Sequence, residues 1–154
     1  MEPRISYWKV DNEGIRKLRE VESYIHHCGL EPALLELVRL RASQINGCAY
    51  CIDMHTKDAR AAGETEQRLY VLSAWHEAPF YTDRERAALA WTEALTLISE
   101  TEIDDELYDS IRLHFSENEL VDLTLAITAI NSWNRFAISF RSPAGKYQPR
   151  RPAQ

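Results

Sequence analysis

Apolar residues recur at three- and four-residue spacing along most of the chain, and no stretch alternates apolar and polar residues as a half-buried strand does. Ile15, Leu18, Val21 and Ile25 make the first stripe, which begins near Asp11 and has Gly29 as its natural stop. Pro32 occupies a favoured first-turn position for a second helix, carried by Leu34, Leu37, Val38, Arg41 and Ile45 and broken at Asn46-Gly47. Asn46 offers an N-cap for a third helix from position 48 to about 62, with Gly63 beyond it. A fourth is expected over residues 66–77, stopping before Pro79. Thr82 with Glu85 and Ser116 with Glu119 have capping-box spacing. They open a fifth helix reaching about Ser99 and a long seventh reaching about Phe140, with a sixth from Asp104 to His114 between them.

This pattern predicts an all-α, single-domain fold of roughly seven helices, with residues 1–10 irregular but anchored by Tyr7 and Trp8 and an irregular tail from about 142 to 154. Leu89, Trp91, Leu95, Ile98, Leu125 and Trp133 give the fifth and seventh helices strongly apolar stripes, read as core with a share left for subunit contact.

Composition narrows the function classes. With 154 residues, 45% apolar and 27% charged, the chain is an ordinary globular protein long enough to bury a core. The longest apolar stretch, around 123–130, is broken by polar residues and falls far short of the roughly 20 residues a membrane span needs. A net charge of −6 opposes binding to nucleic acid or an anionic membrane. Arg141, Lys146, Arg150 and Arg151 form a local basic patch, read as a solvated or subunit-contacting tail. Met1-Glu2-Pro3-Arg4 lacks the charged-then-apolar pattern of an export signal, which predicts a cytoplasmic protein, where thiols stay reduced unless they are catalytic.

Against that background Cys48, Cys51 and His55 stand out. Offsets of three and seven bring all three toward one face of a helix. Two thiols three apart can close a disulfide if the first turn adjusts, and a helix start favours the thiolate, the form that attacks peroxides and disulfides. Glu36 lies ten residues before the Asn46 break and His55 nine after it, about 15 Å and 14 Å along their helices. If the two helices fold back on each other, the carboxylate reaches the imidazole and a relay from Glu36 to His55 to a thiol becomes possible. Other readings stay open: a thiol–disulfide exchange or redox-sensing protein that uses the same residues on a partner protein, a zinc site with His55 and either His76 or Cys28, inert packing of the cysteines, or Glu36 simply pairing with Arg39 at i,i+3. Cys28 is read as a small buried apolar residue.

Glu36, eleven residues, Cys48-x-x-Cys51, three residues, His55 resembles the active-site signature of the alkylhydroperoxidase D-like group within the carboxymuconolactone decarboxylase superfamily. Leu40 to Cys48, Asp53-Met54-His55 and Asn131 to Arg135 are similar to it as well, so the resemblance runs from about Glu20 to Arg141. It implies an all-helical fold, a homo-oligomer (trimer or hexamer) and thiol-dependent peroxidase activity without metal or cofactor. It further implies Cys51 as the peroxide-attacking thiol, Cys48 as the resolving thiol, a redox disulfide between them, and His55 with Glu36 as proton relay. The partners implied are a hydroperoxide substrate and an external dithiol reductant. The helix-start argument alone favours Cys48 as the stronger nucleophile. Tyr50 stands where the group's best-studied members have a second histidine. It can donate a hydrogen bond but stores no proton near neutral pH, which implies weaker activity or a different substrate.

Overall fold

In a computed structural model, which describes residues 2–149, the chain is built of seven α-helices and two short 3₁₀ turns, with no strand among the described residues. The helices are α1 (Glu13–Ile25), α2 (Pro32–Asn46), α3 (Ala49–Ala61), α4 (Glu66–Tyr70), α5 (Asp83–Thr96), α6 (Asp105–Arg112) and α7 (Glu117–Phe140). The all-helical reading holds, and none of the helices is long and apolar enough to cross a membrane.

The second helix is the hub. Leu34, Leu35, Leu37, Val38, Leu40 and Ala42 are all buried, so α2 is apolar on nearly every side and packs against α3, α5 and α7 together. Each buried leucine contributes about 1.5–3 kcal/mol over an exposed one. Ser43 and Thr92, both fully buried, return their hydroxyls to the carbonyls of Arg39 and Ala88, four residues back on their own helices. On the other side of α2, Leu89, Trp91 and Trp133 are buried as their stripes predict, whereas Ile98 lies past the end of α5 and is exposed.

Three expectations are corrected. The fourth helix is only Glu66–Tyr70, followed by a 3₁₀ turn at Leu72–Ala74. Leu69, Leu72, Trp75 and Ala78 are all buried in one cluster, and a strict period of three suits 3₁₀ winding better than α. Asn46 does not cap α3. It is the last residue of α2, Gly47 closes that helix in the left-handed region at φ 67°, and Cys48 is the cap. Cys28 is half-buried rather than buried, packed against the main core.

Both capping boxes form as predicted. At α7 the Ser116 hydroxyl accepts from the Glu119 amide and the Glu119 carboxylate accepts from the Ser116 amide at 2.8 Å. Those bonds, with Arg84, hold the Glu119 carboxyl down at about 2. A depressed carboxylate stabilises the fold above its ordinary range and loses that contribution as pH falls toward the folded value. Ser116→Ala is therefore expected to lower unfolding free energy in urea by about 1 kcal/mol at neutral pH. Its deficit should shrink in strong acid, and an unchanged deficit there would contradict the assignment.

Arg141 ends α7 in the left-handed conformation at φ 56°. The chain turns back, and the described part of the tail, residues 142–149, runs without helix across the outside of α3. Arg150 and Arg151 of the basic patch lie outside the described residues.

Candidate active site

Only Gly47 and Cys48 separate α2 from α3. The tight turn is fixed by the Cys48 amide donating to Ser43 O at 3.0 Å, and by the Asn46 side-chain amide donating to Asn131 Oδ1 at 2.9 Å and Asn134 Oδ1 at 2.8 Å on α7. Asn134, fully buried, donates in turn to Ser43 Oγ. The two helices therefore fold back on each other, and Glu36 stands opposite His55.

Cys48 has extended backbone angles (φ −83°, ψ 91°), and its sulfur accepts the Cys51 amide at 3.3 Å, as an N-cap does. It lies just outside the helix, so only Cys51 and His55 share a true helical face. The two sulfurs are bonded as a disulfide, with Cα atoms 5.4 Å apart. Both cysteines are almost fully shielded, at 1% and 2% exposure. They pack on Ala137 of α7 and on Tyr50.

His55, also buried, has Nδ1 2.8 Å from Glu36 Oε2. Burial pushes the Glu36 carboxyl upward, but the hydrogen bonds and charges of His55 and Arg39 outweigh it and hold the group below its ordinary range. An ionised carboxylate only accepts, so Nδ1 carries the hydrogen and Nε2 is the free nitrogen. Nε2 is buried and has no hydrogen-bond partner among the described residues. The other Glu36 oxygen accepts from Arg39 Nη1 at 2.9 Å. The two readings of Glu36 thus describe one arrangement, because a carboxylate has two oxygens. Arg39 is itself 3% exposed and bonds Glu22 of α1 with its second arm, while Glu22 accepts from Trp133 Nε1 of α7 at 3.2 Å.

Two further groups face this pair. Asp58, one turn beyond His55, brings a carboxylate oxygen within 4.8 Å of the His55 and Glu36 ligand atoms. Its oxygens accept from the Tyr147 hydroxyl at 2.8 and 3.0 Å. This is the one grouping of ligand-type side chains close enough to hold a metal among the described residues. It contains neither cysteine, nor Cys28 or His76, and its donors are already engaged with Arg39, His55 and Tyr147. The zinc arrangement weighed from sequence is therefore not assembled.

Cys51 and His55 border a cleft of about 900 Å³, together with Tyr50, Met54, Trp8 and Trp133. Cys48 does not border it. Trp8 stacks on Trp133 with ring centroids 5.0 Å apart, and Tyr7 is buried beside Phe136 and Phe140, so the N-terminal segment forms one wall, with a 3₁₀ turn at Tyr7–Lys9 where the sequence pattern predicts no regular structure. Burial, then the charges of Asp58 and Asp53, raise the Tyr50 hydroxyl, which keeps it a neutral donor.

The sequence reading did not reach Asp58, Tyr147 or the Glu22–Arg39 link. Asp58 was within reach, since it follows His55 by three on the same helix. Tyr147 gave no local signal.

Residues 13–94 match the carboxymuconolactone decarboxylase family, more than half of the chain. The chain belongs to the carboxymuconolactone decarboxylase family. Within reach of it stands the uncharacterized protein YdfG of Bacillus subtilis, 46% identical over 144 residues that cover 94% of this chain and 98% of the relative. A solved structure from Agrobacterium tumefaciens, a protein of unknown function described as a putative antioxidant defence protein AhpD, is 44% identical. It superposes with a TM-score of 0.90 over 95% of this chain and 100% of that one. An uncharacterized peroxidase-related protein from Silicibacter shares the fold at TM-score 0.73 and 22% identity, over 86% of this chain and 72% of its own. Family membership and the alkylhydroperoxidase-like fold are thereby established, along with the CxxC pair that the family resemblance in the sequence rests on.

Proposed function

We propose that the protein is a thiol-dependent peroxidase that reduces an organic hydroperoxide with Cys51, recycles through the Cys48–Cys51 disulfide and uses His55 and Glu36 as its proton relay. One observation carries the reading: Cys51 and His55 open into the same cleft, and Glu36 orients the imidazole from behind at 2.8 Å. The description of the Agrobacterium relative as a putative antioxidant defence protein supports it.

In the reduced protein His55 Nε2 takes the proton of Cys51, and the thiolate attacks the terminal oxygen of the hydroperoxide. The O–O bond breaks, the alcohol leaves with the proton held on His55, and Cys51 becomes a sulfenic acid. The Cys48 thiol then attacks that sulfur, the disulfide forms and water leaves. An external dithiol supplies two electrons and two protons to reopen the bond. Helix-start electrostatics stabilise charge on the Cys48 sulfur, which holds the cap position, but access decides which sulfur meets the peroxide, and Cys51 is the one that borders the cleft. The depth of both sulfurs also speaks against a folded protein disulfide as substrate and for partners small enough to enter the cleft.

Assembly into a homo-oligomer and residence in the cytoplasm belong to the same reading. Exposed Val121 and Ile138 on α7 supply apolar surface that an oligomer would cover.

The test is turnover of cumene hydroperoxide with dithiothreitol as reductant. Glu36→Gln and His55→Ala should each lower kcat/KM by roughly 10²–10⁴-fold. Unchanged turnover in both variants would sink the relay, and absence of turnover in the wild type would sink the peroxidase reading.

A further inference from the structure

We propose that Tyr147 and Asp58 form a second arm of this site. In this arm the Tyr147 hydroxyl, delivered by the C-terminal segment, holds the Asp58 carboxylate as an anion beside the His55–Glu36 pair, and that charge helps His55 keep the proton it takes from Cys51. The inference rests on the relay proposed above. It adds a positioning residue from a part of the chain beyond the residues that match the family, 13–94.

Geometry carries it. Three anchors fix the tail segment to α3. The Gly145 amide donates to Asp53 Oδ2 at 2.9 Å, Lys57 Nζ donates to the Tyr147 carbonyl at 3.1 Å, and the Tyr147 hydroxyl spans both oxygens of Asp58. Tyr147 thereby becomes part of the wall of the cleft that Cys51 and His55 also line. Asp58 is half-buried and stands within 4.8 Å of the relay's ligand atoms, close enough for its charge to be felt by the imidazole.

The charges around Asp58 are few. Glu36 and Arg39 face it from α2, His55 and Tyr50 from its own helix, and Tyr147 from the tail. Lys57, the adjacent residue, is committed to Asp53 and to tail carbonyls. Burial, with the negative Glu36, leaves the Asp58 carboxyl above its ordinary range, and the Tyr147 hydrogen bond is the largest influence that limits the rise. Without that bond Asp58 takes up a proton at higher pH, and the site loses one of the two negative charges that favour an imidazolium. Tyr50, standing in place of the group's second histidine, cannot supply such a charge near neutral pH.

The experiment follows alkylation of Cys51 by iodoacetamide against pH in the reduced, full-length protein, resolved from Cys28 by peptide mass spectrometry. Tyr147→Phe keeps the ring as cleft wall and removes only the hydroxyl. It should move the acid limb of the profile to higher pH, slowing alkylation there by roughly three- to tenfold. Asp58→Asn should slow alkylation across the profile, and adding Tyr147→Phe to it should change nothing more, because the charge on which the hydroxyl acts is gone. A Tyr147→Phe profile that superposes on the wild type overturns the proposal, as does an equal shift in the Asp58→Asn background. The assay uses no peroxide, so a shifted profile in a protein that turns over no hydroperoxide would refute the peroxidase reading and leave this arm standing.

Discussion

Cys51→Ser is expected to reduce hydroperoxide consumption to the uncatalysed background. A serine hydroxyl is not ionised by a neighbouring imidazole at neutral pH as a thiol is, and the alcohol oxygen is a poor nucleophile toward a peroxide bond. Cys48→Ser should behave differently. The first attack survives, because the cleft, His55 and Glu36 are untouched, but the sulfenic acid has no neighbour to condense with. With no thiol reductant present, that variant should consume one equivalent of hydroperoxide and then stall, with a sulfenic acid detectable by dimedone labelling. Cys28→Ser should leave turnover intact, since Cys28 packs against the core and lies outside the cleft lining. Full activity in Cys51→Ser would rule out the dithiol cycle, whereas a stalled oxidised state in Cys51→Ser but not in Cys48→Ser would reverse the roles assigned to the two sulfurs.

The largest loss of stability is expected from Arg39→Ala. The guanidinium is almost wholly buried, and its two arms hold Glu36 and Glu22. Removing it leaves two carboxylates facing each other across a void, at a cost of about 3–5 kcal/mol. Arg39→Lys should recover part of this, because an ammonium keeps the charge but cannot span both partners in the planar fork geometry. Acid should narrow the gap. In the wild type Glu36 is held below its ordinary range, so its contribution is present at neutral pH and fades as pH falls. Without Arg39 the Glu36 carboxyl rises and protonates earlier, which relieves the variant first. Urea unfolding at neutral and acidic pH measures both effects, and a deficit that grows with acid would contradict the charge assignment.

Much of the fold was legible because the signals that place helices are local. The capping boxes at Thr82 and Ser116 form where the spacing put them, and the apolar stripes of α1, α2, α5 and α7 supply the core. The fourth helix is short for a reason also written locally: Leu69, Leu72, Trp75 and Ala78 repeat every three residues, a period that departs from the 3.6 of an α-helix. At the α2–α3 turn Asn46-Gly47 ends α2 as the sequence predicts, but the cap of α3 falls to Cys48 rather than Asn46. Asn46 spends its amide on α7, a contact 85 residues away in sequence that no local rule reveals.

The site divides along the same line. The meeting of Glu36 with His55 follows from counting residues on either side of a tight turn, and Asp58 lay one turn further along the same face. Which sulfur faces the cleft, and that a tyrosine from the tail closes over Asp58, depend on how the N-terminus, α7 and the tail wrap α3. Those are properties of the whole packed chain.

The placement of Cys51 on the cleft, with Cys48 behind it, has a kinetic consequence. In the proposed cycle oxidant and reductant would meet the same sulfur through the same doorway, in alternate half-cycles. Steady-state plots for the two substrates should therefore be parallel lines, and either substrate in large excess should slow the cycle by occupying the doorway while the enzyme is in the wrong redox form.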